Sequence, residues 1–278
     1  MTLDTIISDG TEFKLGCTPP DSFPTNHTAF ADAFPGEMLT LDQIREALTG
    51  KPSLWGRRQR FSGPTYVRNQ KQFGSCNGWA VALRLARLRE LRGEPYVGLS
   101  GADAYSQMNG GRDNGSVLSD AVKVCFNGIA PESLVPYDHI YTRQISAEAV
   151  ASRARFRGFK EFAVDTELEL ASALVAGRLG VIAVHVTNAF TSQDGNGING
   201  TGNGPGNHSV GCDDIRMQPD GTLNFDMSNE WGTEFCSGGY SWLTWNRHLR
   251  ETVKNHRFFI LVSTQDDPGD DSAPPVAA

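Results

Sequence analysis

The sequence has no C-x-x-C pair: its five cysteines, Cys17, Cys76, Cys125, Cys212 and Cys236, lie far apart. That spacing excludes a zinc ribbon and a dense disulfide framework, and the odd count leaves at least one free thiol. Dense runs of Lys or Arg are also missing, and the formal net charge is -7. Neither nucleic acid nor an anionic membrane is therefore the expected main partner, and a polar or peptide partner fits better. No stretch approaches the roughly 18 apolar residues of a spanning helix, and MTLDTIISDGTEF at the start lacks a basic n-region and an apolar core. As written, the chain is expected to stay in the compartment where it is made. Metal and cofactor signatures are weak. GNGING (195–200) satisfies G-x-G-x-x-G, but the TGNGPGN that follows cannot open the helix that binds a pyrophosphate. A calcium loop starting at Asp194 would put Pro205 where the bidentate Glu belongs. No metal and no cofactor are expected.

What is present suffices for one substantial core or two small ones flanking a cleft: 278 residues, 39% of them hydrophobic. Residues 1–50 carry scattered Pro and Gly and one short helical signal, TLDQIREAL, capped by Thr40 or Asp42. They read as an N-terminal extension, a candidate pro-segment or assembly segment. The run from Cys76, CNGWAVALRLARLRELRG, has apolar residues at helical spacing, stops at Gly93, and gathers Arg87, Arg89 and Arg92 in its last turns, where the helix dipole favours cations. Further helices are expected from Ser100 and near Val117 to Val124. After about residue 155 the pattern changes to strands: FKEFAV, GVIAVHV, HSVGCDDI, TLNFDMS, GYSWLTW and FFILVS. One helix interrupts them, TELELASALVAG, with Thr166 and Glu169 as a capping box and Gly177 as its stop. Helices first and strands second, without βαβ alternation, predict an α+β protein of two lobes. The helical lobe covers about 70–155 and the β lobe about 156–265, while 266–278, acidic and rich in Pro and Ala, is expected to be a disordered tail.

The chemistry centres on NQKQFGSCNGWA (69–80). Gly74 and Ser75 turn the chain and Cys76 begins the helix, where unpaired N–H groups lower a thiol's pKa. A nucleophile there needs a base and an orienting group. Six histidines are available. His208 stands out because it opens the strand HSVGCDDI directly after a Gly/Asn-rich loop, whereas His185 in GVIAVHV reads as an ordinary strand residue. SNEWGTEF supplies Asn229 as an orienting amide beside Trp231, whose ring can shield a buried hydrogen bond. Glu230, between them, is a carboxylate close enough to shift the His208 pKa. Cys125 and Cys212, in apolar surroundings, read as core thiols.

Over about residues 55–262 the chain resembles the papain-like cysteine peptidases, particularly their divergent bacterial and phage branches. SLWGRRQRFSGPTYVRNQ is similar to the family's mature N-terminal segment, NQKQFGSCNGWA to its nucleophile segment, NGGRDNGSVLSDAVKVCFNGIAPESLVPY to its Gly-rich substrate strand and following helix, and FDMSNEWGTEFCSGGYSWL to its N-x-W-G…G-Y block. The resemblance implies a two-lobed fold, helical first and antiparallel β-barrel-like second, with a cleft between the lobes. It implies Cys76 as nucleophile, His208 as base, Asn229 as its orienter, Trp231 as shield and Gln70 as side-chain donor of the oxyanion hole. By the same match Gly115 pairs with an extended peptide, with Gly110 and Gly111 as rivals. The expected activity is endopeptidase hydrolysis of a polypeptide substrate through an acyl-enzyme. Two other readings stand beside it: the fold kept as a component of a larger assembly such as a viral particle, and acyl transfer on the same triad. The corresponding location is cytoplasm or virion. Phe73 replaces the cysteine that many members bridge, and residues 1–50 do not resemble the long helical propeptides of secreted members.

Overall fold

The computed structural model describes residues 4–8, 10–21, 26–56, 61 and 67–263. The tail expected over 266–278 and most of RRQRFSGPTY therefore lie outside the described residues. In chain order the elements are β1 (Thr5–Ser8), β2 (Thr11–Lys14), β3 (Cys17–Thr18), α1 (Phe30–Ala33), α2 (Leu41–Leu48), α3 (Cys76–Leu91), α4 (Gly101–Ser106), β4 (Ser116–Val117), α5 (Leu118–Asn127) and α6 (Ala147–Ser152). The second half continues with β5 (Phe159–Val164), α7 (Glu167–Val175), β6 (Leu179–Val184), β7 (His208–Cys212), β8 (Ile215–Met217), β9 (Leu223–Ser228), β10 (Tyr240–Thr244), α8 (Thr252–His256) and β11 (Phe258–Ser263). From α1 onward this is close to the expected α+β order, helices before the main run of strands, while β1–β3 lie ahead of it.

The strands from β5 onward form one antiparallel sheet in the order β10-β9-β7-β6-β11-β5, with β8 paired to β9. Its central strands β6, β7 and β11 are buried at every residue, which is why β6 and β11 read as continuous apolar runs rather than alternations. Helix α3 is the other half of the core. Every residue from Cys76 to Leu88 is buried, so the helix has no solvent face over three turns and must be enclosed. It packs on β7, β6 and β11 on one side and on α4 and α5 on the other, which makes it the wall shared by both lobes. Each large apolar side chain it buries contributes roughly 1.5–3 kcal/mol.

Local signals set the helix ends. Thr40, not Asp42, caps α2, and its hydroxyl accepts from the Gln43 N–H in a reciprocal box. Thr166 and Glu169 close the same kind of box on α7, and Gly177 follows its end at φ +85°. The arginines in the last turns of α3 take different surroundings. Arg89 pairs with Glu94, but Arg87 is buried, because its partners Asp213 and Tyr240 lie inside the β lobe.

Residues 26–50 pack into the main body. Phe30, Phe34, Ile44 and Leu48 enter the main core, α2 packs on α7 and β8, and Ala29 bridges Ala163 of β5. Residues 4–18 take a separate course. β1 and β2 form an antiparallel hairpin, and β3 then runs parallel to β4.

Candidate active site

Cys76 is the first residue of α3 and fully buried. Gly74 and Ser75 make the turn before it, and Asp113 fixes that turn by accepting from the Gly74 N–H at 2.9 Å. Opposite, β7 begins with His208, also fully buried. Its Nε2 lies 2.8 Å from Asn229 Oδ1. A carbonyl oxygen only accepts, so Nε2 carries the proton and Nδ1 is left as the basic nitrogen. Among the described residues Nδ1 is buried without a hydrogen-bond partner. Asn229 follows β9, and its backbone N–H donates to the Gly239 carbonyl at 2.9 Å. Trp231 lies against the His208 ring, with centroids 4.9 Å apart, and Phe190 meets both rings edge-on. Phe235 completes an apolar cover that keeps water off the His208–Asn229 bond.

Gln70 is fully buried beside this group, and its backbone N–H donates to the Glu230 carbonyl at 2.8 Å. Its Nε2 donates to the Phe73 carbonyl at 2.9 Å and to the Lys14 carbonyl at 3.1 Å. The second bond brings the N-terminal segment into the site. Phe13 stacks on Trp231 with centroids 4.7 Å apart. Lys14 Nζ pairs with Asp113 at 2.7 Å. The Gly16 carbonyl accepts from the Ser116 N–H at 2.8 Å, and the Cys17 N–H donates to the Asn207 carbonyl at 3.2 Å. Residues 13–18 thus thread between the nucleophile turn, the Gly115–Ser116 strand and the residue preceding His208. Glycine is required at position 16, because a Cβ there would overlap the Gly74 backbone.

The structure brings together His208, Asn229 and Trp231, with Gln70 bonded to the Glu230 backbone; Cys76 lies against Ser209, the residue after His208, and among the described residues no hydrogen bond joins the Cys76 thiol to the His208 ring. Gly115, at φ +78°, faces the Gly16 carbonyl, but its N–H is taken by the Tyr105 hydroxyl at 2.9 Å, so Ser116 makes the pairing bond. Gly111 lies apart, its N–H held by Asn109 Oδ1 and open space around its Cα. Nothing in the sequence reading pointed to Phe13, Lys14, Gly16, Asp113 or Asn207 as cleft residues. The Lys14, Gly16 and Asn207 carbonyls act through backbone, which leaves no residue-type signature, and the side-chain contacts of Phe13 and Asp113 reach partners remote in sequence.

The electrostatics of this closed cleft run against the expectation of an activated thiol. Burial pushes the Cys76 thiol up to about 11, although N–H groups of Ser209, Gly16 and Asn77 pull the other way. Burial likewise pushes His208 down to about 4, only partly opposed by Asn229. Both members of the pair are neutral in this state. Glu230 does not act on His208 as expected: its carboxylate turns toward Arg84 at 3.1 Å. All five cysteines are free thiols.

No protein-family model and no curated protein sequence matches the chain. Solved structures do. Xylellain, a cysteine protease from Xylella fastidiosa, superimposes with a TM-score of 0.65 at 18% identity, over 89% of this chain and 95% of its own. Digestive procathepsin L 3 of the Tenebrio molitor larval midgut gives 0.56 at 16% identity, over 70% of this chain and 66% of its own. The bromelain protease from Ananas comosus, in complex with the E64 inhibitor, gives 0.53 at 17% identity, over 72% and 93%. The chain has the papain-like cysteine protease fold, helical and β lobes included, as the sequence motifs implied.

Proposed function

We propose that this chain is a cysteine-type endopeptidase held in a latent state by its own residues 13–18. The observation that carries the reading is the Lys14 carbonyl on Gln70 Nε2 at 3.1 Å. A peptide carbonyl sits on a buried side-chain donor, the Gln70 amide, while Ser116 and Asn207 hold the backbone beyond it. The cleft accepts extended polypeptide. Catalysis then follows from the groups around it. His208 Nδ1 takes the proton of the Cys76 thiol and the sulfur attacks a substrate carbonyl. Gln70 Nε2 and the Cys76 backbone N–H stabilise the oxyanion. The C–N bond breaks as His208 returns the proton to the leaving amine, and a water activated by the same nitrogen releases the acyl group as a carboxylate. Asn229 keeps Nε2 protonated, and thus Nδ1 basic, throughout.

Occupancy by residues 13–18 supports latency, because a substrate needs the places that Phe13, Lys14 and Gly16 take. The test uses the full chain with Gly16→Val, which cannot keep its place against Gly74. Fluorescein-labelled casein, an unselective polypeptide, is expected to be cut by Gly16→Val much faster than by the wild type, and not at all by Gly16→Val with Cys76→Ala. Cleavage that survives loss of Cys76, or a Gly16→Val chain that is folded and labels at Cys76 but cuts nothing, would overturn the reading. Products that carry an added amine in place of a free carboxylate would mark acyl transfer.

A further inference from the structure

Two turns beyond Cys76, α3 carries Arg84 with no exposure at all. Its guanidinium reaches three parts of the β lobe. Nε and Nη2 grip the Asp213 carboxylate at 3.0 and 2.9 Å, Nη1 donates to Glu230 Oε1 at 3.1 Å, and Nη2 also meets the Ser228 hydroxyl. Ser228 and Glu230 are the two neighbours of Asn229. Asp213 follows β7, the strand that His208 opens, and the guanidinium lies on Gly211 of that strand, where any Cβ would overlap it. Arg87, one turn on, adds a second cation to Asp213 and bonds the Tyr240 hydroxyl. Glu230 contributes twice, since its backbone carbonyl holds the Gln70 N–H at 2.8 Å.

Burying two guanidinium and two carboxylate groups beneath a cleft is a poor route to stability, because desolvation costs about as much as the pairing returns. Stability alone therefore gives no reason for the cluster. We propose that Arg84, through Glu230, is a positioning residue of the active site: it fixes the Ser228–Asn229–Glu230 segment against the nucleophile helix, setting together the orienting amide of His208 and the backbone anchor of Gln70. Lysine cannot replace it, since an ammonium is a point charge without the planar fork that spans Asp213 and Glu230. Neighbouring titratable groups are Arg87 on the same helix, Asp213 beyond β7 and Tyr240 on β10.

This inference rests on the peptidase reading, and its test is built on the full-length Gly16→Val chain so that the two fail separately. If that parent does not hydrolyse casein, the reading fails. If it does, three variants are compared on it for kcat, KM and melting temperature. Glu230→Ala releases the segment and is expected to lower kcat at least about 10-fold, the order of a 1.4 kcal/mol loss, with KM within about twofold. Glu230→Gln keeps an oxygen for Nη1 and should restore most of kcat. Arg84→Met with Glu230→Gln removes the cation and one carboxylate together, so its melting temperature should stay near the parent's while kcat stays low. A kcat that recovers with melting temperature in that double variant, or one unchanged in Glu230→Ala, would show a merely structural cluster and overturn the proposal. Should Glu230→Ala fail to fold, Arg84→Lys gives the same decision: lowered kcat at unchanged KM supports positioning, and unchanged kcat refutes it.

Discussion

Replacing Gly16 by valine tests whether the occupied cleft is what silences Cys76. The Gly16 Cα passes so close to the Gly74 backbone that a single added carbon overlaps it, and backbone cannot move aside as a side-chain tip can. The segment must leave, and with it go the Phe13–Trp231 stack and the Lys14 carbonyl on Gln70. Water then reaches the thiol. Burial holds Cys76 at about 11 against an ordinary value of 9.0, with Gly16 itself one of the groups in contact. Two pK units leave the thiolate about 100-fold scarcer at neutral pH, and only the thiolate is alkylated. Iodoacetamide labelling at pH 7.5, read by peptide mapping, should therefore accelerate at Cys76 by about 100-fold or more. Cys17, part of the segment and buried in this state, is an internal reporter, since withdrawal of the segment is expected to expose it. Fast Cys17 labelling beside a Cys76 as slow as in the wild type would refute the reasoning, since the segment would have left without freeing the thiol.

Gln70→Ala in the opened chain should lower kcat by roughly 10²-fold with little change in KM, the scale of one oxyanion donor; an unchanged kcat removes Gln70 from the site. Acid should destabilise the fold. Burial holds His208 and His248 at about 4 instead of 6.5, so between these values the unfolded chain binds more protons and stability falls as pH drops. Glu230, raised by burial to about 7 against Arg84's pull, binds its proton earlier when folded and partly offsets that loss. Urea titrations from pH 7.5 to 5 should thus show a net decrease in the wild type and a steeper one, by about 2 kcal/mol, in Glu230→Gln; parallel curves contradict both assignments. Thr166→Ala should cost about 1 kcal/mol in the same assay by removing the α7 cap. The wild type should stay intact at Lys14–Leu15 over hours, and a Cys76-dependent product beginning at Leu15 would contradict a silent site.

The strands were legible because burial on both faces leaves uninterrupted apolar runs, as in LGVIAV and FFILVS, and α7 because its cap and stop are side-chain chemistry. The residues proposed for the site, Cys76, His208 and Asn229, stand out through the residues around them: GSC before a helix, a histidine opening a strand, N-x-W-G after one. The N-terminal hairpin is not among the expected elements, although Asp9-Gly10 lies between TIIS and TEFK, with Gly10 at φ +73°, and an Asp-Gly pair between short strands is a turn signal. The burial of Arg84 and Arg87 is not legible in the sequence, for a physical reason. Arginine on a helix normally marks solvent, and only the buried Asp213 and Glu230, remote in sequence, reverse that.

Under the proposed latency, desolvation explains how the candidate site is both complete and silent. A thiol and an imidazole become reactive as an ion pair, and an ion pair needs either water or fixed dipoles to support it. In the closed cleft the dipoles are present: N–H groups of Ser209, Gly16 and Asn77 face the sulfur, and Asn229 faces the ring. They do not outweigh the dryness that the segment imposes. Withdrawing residues 13–18 leaves the His208–Asn229 bond in place and frees Gln70 Nε2 from the Lys14 carbonyl; it removes the Gly16 N–H from the sulfur but puts water there in its stead. The neutral pair then loses its advantage. Latency of this kind needs no distortion of the machinery, so reopening the cleft should restore activity as fast as the segment departs, without a slow refolding phase.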